Sequence, residues 1–231
     1  MQNNQIYYLS TVILLPSISF IFGVTTFLSE APVWCEYSPF KQLNWCQPEP
    51  ACNSNDNNTL ECANTLFNGD KYHNPAKLKI DTLRDHKPSI YFRVDETMHM
   101  KFDSHHDGYI FIYNINPKGE LITLFPNKYC PQLEQSYIKA EKTLVIPDIY
   151  WTCDFPVSEP TGTNTLLAVL IENKMEYNIL PVNFKTVSPQ HAKSLLHLLR
   201  MQLENLTMEN QHGEERPIKW SAKMAEYQIK H

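Results

Sequence analysis

Cys35, Cys46, Cys52, Cys62, Cys130 and Cys153 are the residues of this chain best equipped for covalent chemistry. An even number of cysteines in an exported chain reads as a disulfide set, and six allow fifteen connectivities. Four of them fall in WCEYSPFKQLNWCQPEPACNSNDNNTLEC (34–62), a stretch with few long apolar runs. Such a stretch buries little surface, so covalent links stand in for a core. Pairing of these four among themselves, and of Cys130 with Cys153, is the expectation. A zinc site needs close ligand pairs such as C-x2-C, and the shortest spacing here, Cys46 to Cys52, is wider. No metal and no cofactor is therefore expected, and Cys130 reads as an oxidised sulfur rather than a thiolate nucleophile.

The second cluster is DSHHDG (103–108), where Asp103, His105, His106 and Asp107 follow His99 on the preceding run. Histidines and carboxylates at this density can bind a metal, and an exported metal-dependent hydrolase is one reading. Neighbouring residues of a strand point to opposite faces, so His105 and His106 cannot share a metal without a bend. A polar hairpin loop closed by Gly108 is the reading preferred. Asp148, Asp154 and Glu159 could form an acid–base pair, but their spacing does not select them from other surface acids. The chain has no G-x-S-x-G elbow, no Walker sequence and no G-x-G-x-x-G. No catalytic residue is assigned. Tyr150 and Trp151 remain as aromatic side chains able to meet a glycan or a partner. Asn57-Asn58-Thr59 and Asn205-Leu206-Thr207 match the glycosylation acceptor pattern, which matters only in a eukaryote.

The elements that must position these groups begin with STVILLPSISFIFGVTTFLS (10–29), almost continuously apolar. As a helix it spans about 30 Å of hydrocarbon. It is read as a signal peptide or a retained N-terminal anchor, which marks the remainder as exported, in a bacterium to the periplasm, free or tethered to the inner membrane. Across the 231 residues, 42% are hydrophobic and 19% charged, enough apolar material for one sizeable core. Twenty Lys and Arg against 25 Asp and Glu give a net charge of −5, which argues against a nucleic-acid partner.

Strand patterns are dense from residue 89 onward. SIYFRV (89–94) leads into an alternation with Met98, Met100 and Phe102 on one side and His99 and Lys101 on the other. YIFIYNI (109–115) carries Tyr109, Phe111, Tyr113 and Ile115 on one face and Ile110 and Ile112 on the other, so it is buried on both. The turn NPKG (116–119) joins it to ELITLF (120–125), and LVIP (144–147) and TLLAVLIE (165–172) add two strands, the last one central. SPQHAKSLLHLLRMQLENLT (188–207) predicts a helix, capped by Ser188, with a stripe of Leu195, Leu199, Leu203 and Leu206 widened by Leu196 and Leu198. IKWSAKMAEYQIKH (218–231) predicts a closing strand on a half-exposed edge. The expected fold is mainly β (α+β): an antiparallel β-sandwich-like domain over 76–231 with one C-terminal amphipathic helix. The hydrophobic segment 1–30 and a small Cys-rich region over 31–75 precede it.

DGYIFIYNINPKGELITLFPN (107–127), LVIP (144–147) and GTNTLLAVLIEN (162–173) together resemble the domain of unknown function 4384 family, over about residues 88–220. The Phe125-Pro126-Asn127 ending after the Gly119 hairpin is the most specific part. The resemblance implies a β-sandwich-like module of bacterial exported or envelope proteins, sometimes appended to kinases or caspase-like proteases. It implies no catalytic residues. The Cys-rich preface and the excursion between Cys130 and Cys153 depart from the family pattern. The function expected is a non-enzymatic protein-interaction module of the bacterial cell envelope, with one or more envelope proteins as partners. A glycan- or peptidoglycan-binding sandwich is the alternative.

Overall fold

The computed structural model describes residues 58–67, 74–127, 129–130, 133–148, 154–172, 186–209 and 214–231. All lie in the unit Pro48–His231. The apolar segment 10–29, Cys35, Cys46, Cys52, Cys153, Tyr150 and Trp151 lie outside the described residues. No helix among the described residues is long and apolar enough to cross a membrane.

In chain order the elements are helix α1 (Thr59–Phe67), strands β1 (Lys79–Arg84), β2 (Lys87–Pro88), β3 (Tyr91–Arg93), β4 (His99–Asp103), β5 (Gly108–Ile115), β6 (Leu121–Phe125), β7 (Tyr137–Ile138), β8 (Thr143–Ile146), β9 (Gly162–Ile171) and β10 (Thr186–Val187), helix α2 (Pro189–Asn205), and strands β11 (Thr207–Glu209), β12 (Glu215–Pro217) and β13 (Trp220–Lys230). They build a seven-stranded sheet in the order β10-β6-β5-β9-β13-β3, with β7 also on β5, and a four-stranded sheet in the order β2-β1-β4-β8. β11 and β12 pair as a separate ribbon.

The alternation of β5 and β9 dictates three layers. Phe111, Tyr113, Ile115, Leu167, Val169 and Ile171 point to one side, where they meet α1 and α2. Ile110, Ile112, Leu166, Ala168 and Leu170 point to the other, where Ile80, Met100, Phe102 and Ile146 of the smaller sheet cover them. A strand buried on both faces loses its polar alternation, which is why both runs read as central in the sequence. β9 lies between β5 and β13, as expected. The fold is thus mainly β, a two-sheet sandwich with helices on the outer face of the larger sheet.

Several local expectations are corrected. SIYFRV does not run on into the Met98 alternation; a turn with Asp95 at φ 70 separates β3 from β4 and sends them to different sheets. The 31–75 region contains a helix, α1, whose Ala63, Leu66 and Phe67 are buried in the core. Leu198 is 40% exposed, whereas Leu195, Leu196, Leu199 and Leu203 are buried. The widening holds at Leu196 and fails at Leu198, because one helix face subtends only part of a turn and Leu198 sits beyond it. Ser188 occupies the N-cap position of α2, where its carbonyl accepts the Ala192 N–H at 2.8 Å, but its side chain makes no cap bond; its Oγ lies 2.9 Å from His191 Nδ1. β13 is not the sheet's edge: β3 adds parallel to its end, pairing Tyr91–Arg93 with Gln228–Lys230. That is the one parallel pair among the described strands, the others being antiparallel.

Cys62 is buried in the helix-side core and Cys130 in the core between the sheets. Both are disulfide-bonded.

Candidate functional site

The loop after β4 spends its chemical groups on its own structure. Ser104 is buried; its Oγ donates to the His106 carbonyl at 2.8 Å and accepts the His106 N–H at 3.1 Å. Asp107 accepts the Ala140 N–H at 2.6 Å and the Tyr137 hydroxyl at 2.8 Å. These two donors hold its carboxyl below the ordinary value of 3.8, and the same contact pushes the Tyr137 phenol up. Burial alone would raise Asp103, but the Thr143 hydroxyl, at 2.6 Å, and the Lys101 ammonium, at 3.2 Å, outweigh it and lower the carboxyl. His105 faces Glu141, with Nδ1 3.6 Å from Oε1. His99 turns elsewhere, with Nδ1 3.1 Å from the Pro147 carbonyl and its ring 5.0 Å from that of His86. Among the described residues, no group of three or more His, Cys, Asp or Glu side chains is placed to hold a metal.

A different group gathers at the end of the large sheet where β5 stops, β9 starts and β13 ends. Asn114, Asn164 and Tyr227 are buried there between the two sheets. Tyr227 OH donates to Asn114 Oδ1 at 3.3 Å, Asn114 Nδ2 donates to Asn164 Oδ1 at 3.1 Å, and Asn164 Nδ2 donates to the Gly162 carbonyl at 3.3 Å. Asn164 and Tyr227 are direct partners across β9 and β13. Burial pushes the Tyr227 phenol well up, so it stays protonated and donates throughout the physiological range. A buried polar chain of this kind is costly unless its members are paired, and here they are paired in series.

These residues line a cleft of about 160 Å³ whose mouth is formed by Asp154–Pro160. That segment is pinned in place: Asp95 N–H and Met98 N–H donate to the Val157 and Phe155 carbonyls at 2.8 and 3.0 Å, and Val157 N–H donates to the Glu96 carbonyl at 2.9 Å. The cleft wall is therefore held by backbone bonds rather than by side chains alone. Asp154 and Glu159, singled out as acids in the sequence, sit on its lining, while Asp148 is exposed elsewhere.

On the opposite face of the same sheet end lies a wider cleft of about 670 Å³, between the start of α1 and the β5–β6 turn. Asn116 organises that turn, its Oδ1 accepting the Lys118 and Glu120 N–H groups at 3.0 Å each. Gly119 adopts φ 77, a conformation favoured for glycine. The Asn114–Asn164–Tyr227 chain was not anticipated from sequence. The available signal was one amide near the end of each of two strands with long apolar runs, YIFIYNI and GTNTLLAVLI.

No curated protein matches the chain. A family model, described as Domain of unknown function (DUF4384), matches residues 91–174, from β3 to just beyond β9. The matched stretch includes Asn114, Asn164 and the cleft mouth, and leaves out α2 and Tyr227. It is shorter than the resemblance over about 88–220, but it spans the same hairpin and the same Phe125-Pro126-Asn127 ending. Over residues 91–174, then, this chain is similar to the family described as Domain of unknown function (DUF4384).

Proposed function

We propose that this protein is a non-enzymatic protein-interaction module of the bacterial cell envelope. The observation that carries the reading is the outer edge of the large sheet, where Ile90 and Tyr91 are 54% and 45% exposed. β3 is three residues long and ends the sheet, so a partner can reach these two side chains, while the Tyr91 and Arg93 N–H groups already donate to Ser89 Oγ at 3.2 Å and Glu96 Oε2 at 2.7 Å. Lys230 lies 3.8 Å from the Tyr91 ring and keeps the ring presented at the surface. Exposed apolar groups on a sheet edge are a liability that a partner converts into a binding surface. The apolar segment 10–29 and the cysteine set support a position in an oxidising, exported compartment. The carboxylates of the 103–107 loop support a binding rather than a catalytic role, since Asp103 and Asp107 are engaged in local bonds.

A photo-activated crosslinking residue placed at position 90 in living cells tests this. Discrete adducts with envelope proteins are expected there, and none from a matched probe at Leu198 on α2. Equal labelling from both positions, or none from either, would refute the reading.

A further inference from the structure

The cleft between Asn114, Asn164 and Tyr227 is large enough to be more than a packing defect. Its volume, about 160 Å³, is close to the roughly 150 Å³ of an apolar cavity that takes up benzene. A ring of benzene's size fits, and a bulkier hydroxylated ring enters this open cleft only in part; the lining decides the chemistry. Asn114 and Asn164 each commit one side-chain N–H within the buried chain. Each amide nitrogen carries a second N–H, and the Tyr227 oxygen has lone pairs beyond the bond it donates. A purely apolar ring would leave those groups without partners, at a cost of about 1–3 kcal/mol each. The facing wall is apolar, formed by Met98, Leu124 and Phe155. Two carboxylates, Asp154 and Glu159, stand at the mouth, and no Lys or Arg is among the described lining residues. An anion would meet two carboxylates there, with His231, 3.7 Å from Glu159, as the neighbouring basic group.

Polar donors on one side, an apolar wall on the other and hydroxyl-accepting carboxylates at the rim match one ligand class. We propose that this cleft binds an uncharged sugar ring, taken end-on as one unit of a glycan. The ring's C–H face would lie on the Phe155 side, its hydroxyls would accept from the two amides, and further hydroxyls would donate to Asp154 and Glu159. The inference does not depend on the sheet edge or its partner, so the two can fail separately.

The test is a titration of the full chain followed by NMR, reading the side-chain amide signals of Asn114 and Asn164. The probes are glucose, N-acetylglucosamine and glucuronate. A saturable shift with at least one uncharged sugar is expected, with glucuronate at least about tenfold weaker. Ser158→Trp, at an exposed position in the mouth, should abolish the shift while leaving the backbone spectrum otherwise intact. Asp154→Lys provides a second handle, raising the affinity for glucuronate relative to glucose. The proposal is overturned if neither uncharged sugar shifts these signals saturably, if glucuronate binds as tightly, or if both variants leave the response unchanged.

Discussion

Gly108 has no room for a methyl group: a Cβ there would lie 2.7 Å from the Ile171 carbonyl oxygen and 2.7 Å from Leu170 Cδ1. Because one contact is backbone, Gly108→Ala must displace β9 or break pairing, and a loss of about 1–3 kcal/mol is expected in chemical denaturation. Asp107 gives a pH prediction at the same scale. Its folded pKa is lowered, chiefly by the Ala140 N–H and then by Tyr137, so its contribution is present above the ordinary 3.8 and fades as pH falls through the folded value. Tyr137 is raised by the same carboxylate, so its contribution is present below 10.0 and fades as pH rises through its folded value. The Ala140 amide resonance should move with the acid titration, and Tyr137→Phe should keep that movement. Asp107→Asn should abolish it. The polarity of this loop was legible in the sequence but its course was not: a hairpin was expected, whereas β4 and β5 belong to different sheets and the loop carries the chain from one to the other. The Asn114–Asn164 pairing was not legible, because it joins strands whose register only the folded sheet defines.

α2 shows how an element can be read correctly and its face slightly too broadly. Period and punctuation located it, and Leu195, Leu196, Leu199 and Leu203 do enter the core, each contributing about 2 kcal/mol by burial. Leu199→Ala should therefore cost about 2–5 kcal/mol, whereas Leu198→Ala should stay within about 0.5 kcal/mol, both by denaturant midpoint. Equal effects would mean that the helix packs on a different face. β5 and β9 were legible as doubly buried because apolar residues fill both of their alternating sets. α1 was not: its nine residues sit in a cysteine- and asparagine-rich context, and burial of Leu66 and Phe67 against the sheet, rather than local pattern, supports it. Phe67 meets Trp220 of β13 edge-on, with centroids 6.5 Å apart, and Arg200 of α2 lies 4.6 Å from the same Trp220 ring. One side chain thus ties both helices to the strand. The split between β3 and β4 has a trace in the sequence, where Asp95-Glu96-Thr97 interrupts the alternation, but the change of sheet at that point is not encoded locally.

At the scale of the molecule, the larger sheet is the middle layer. Its centre is sealed by helices on one face and a smaller sheet on the other, and among the described strands β3 and β10 form its edges. The mainly β class and the family match follow from strand patterns that are local in sequence. The layering depends on which residues of β5 and β9 face which neighbour, and on the parallel addition of β3, neither of which a linear pattern encodes. The proposed envelope role is most directly tested by crosslinking in the native cell, then purifying the tagged full chain from the membrane and periplasmic fractions and determining its stoichiometry. The account predicts recovery from the envelope with a fixed set of protein partners, lost when Ile90 and Tyr91 are both replaced by Lys. Recovery of the chain alone, or from the cytosol, would contradict it.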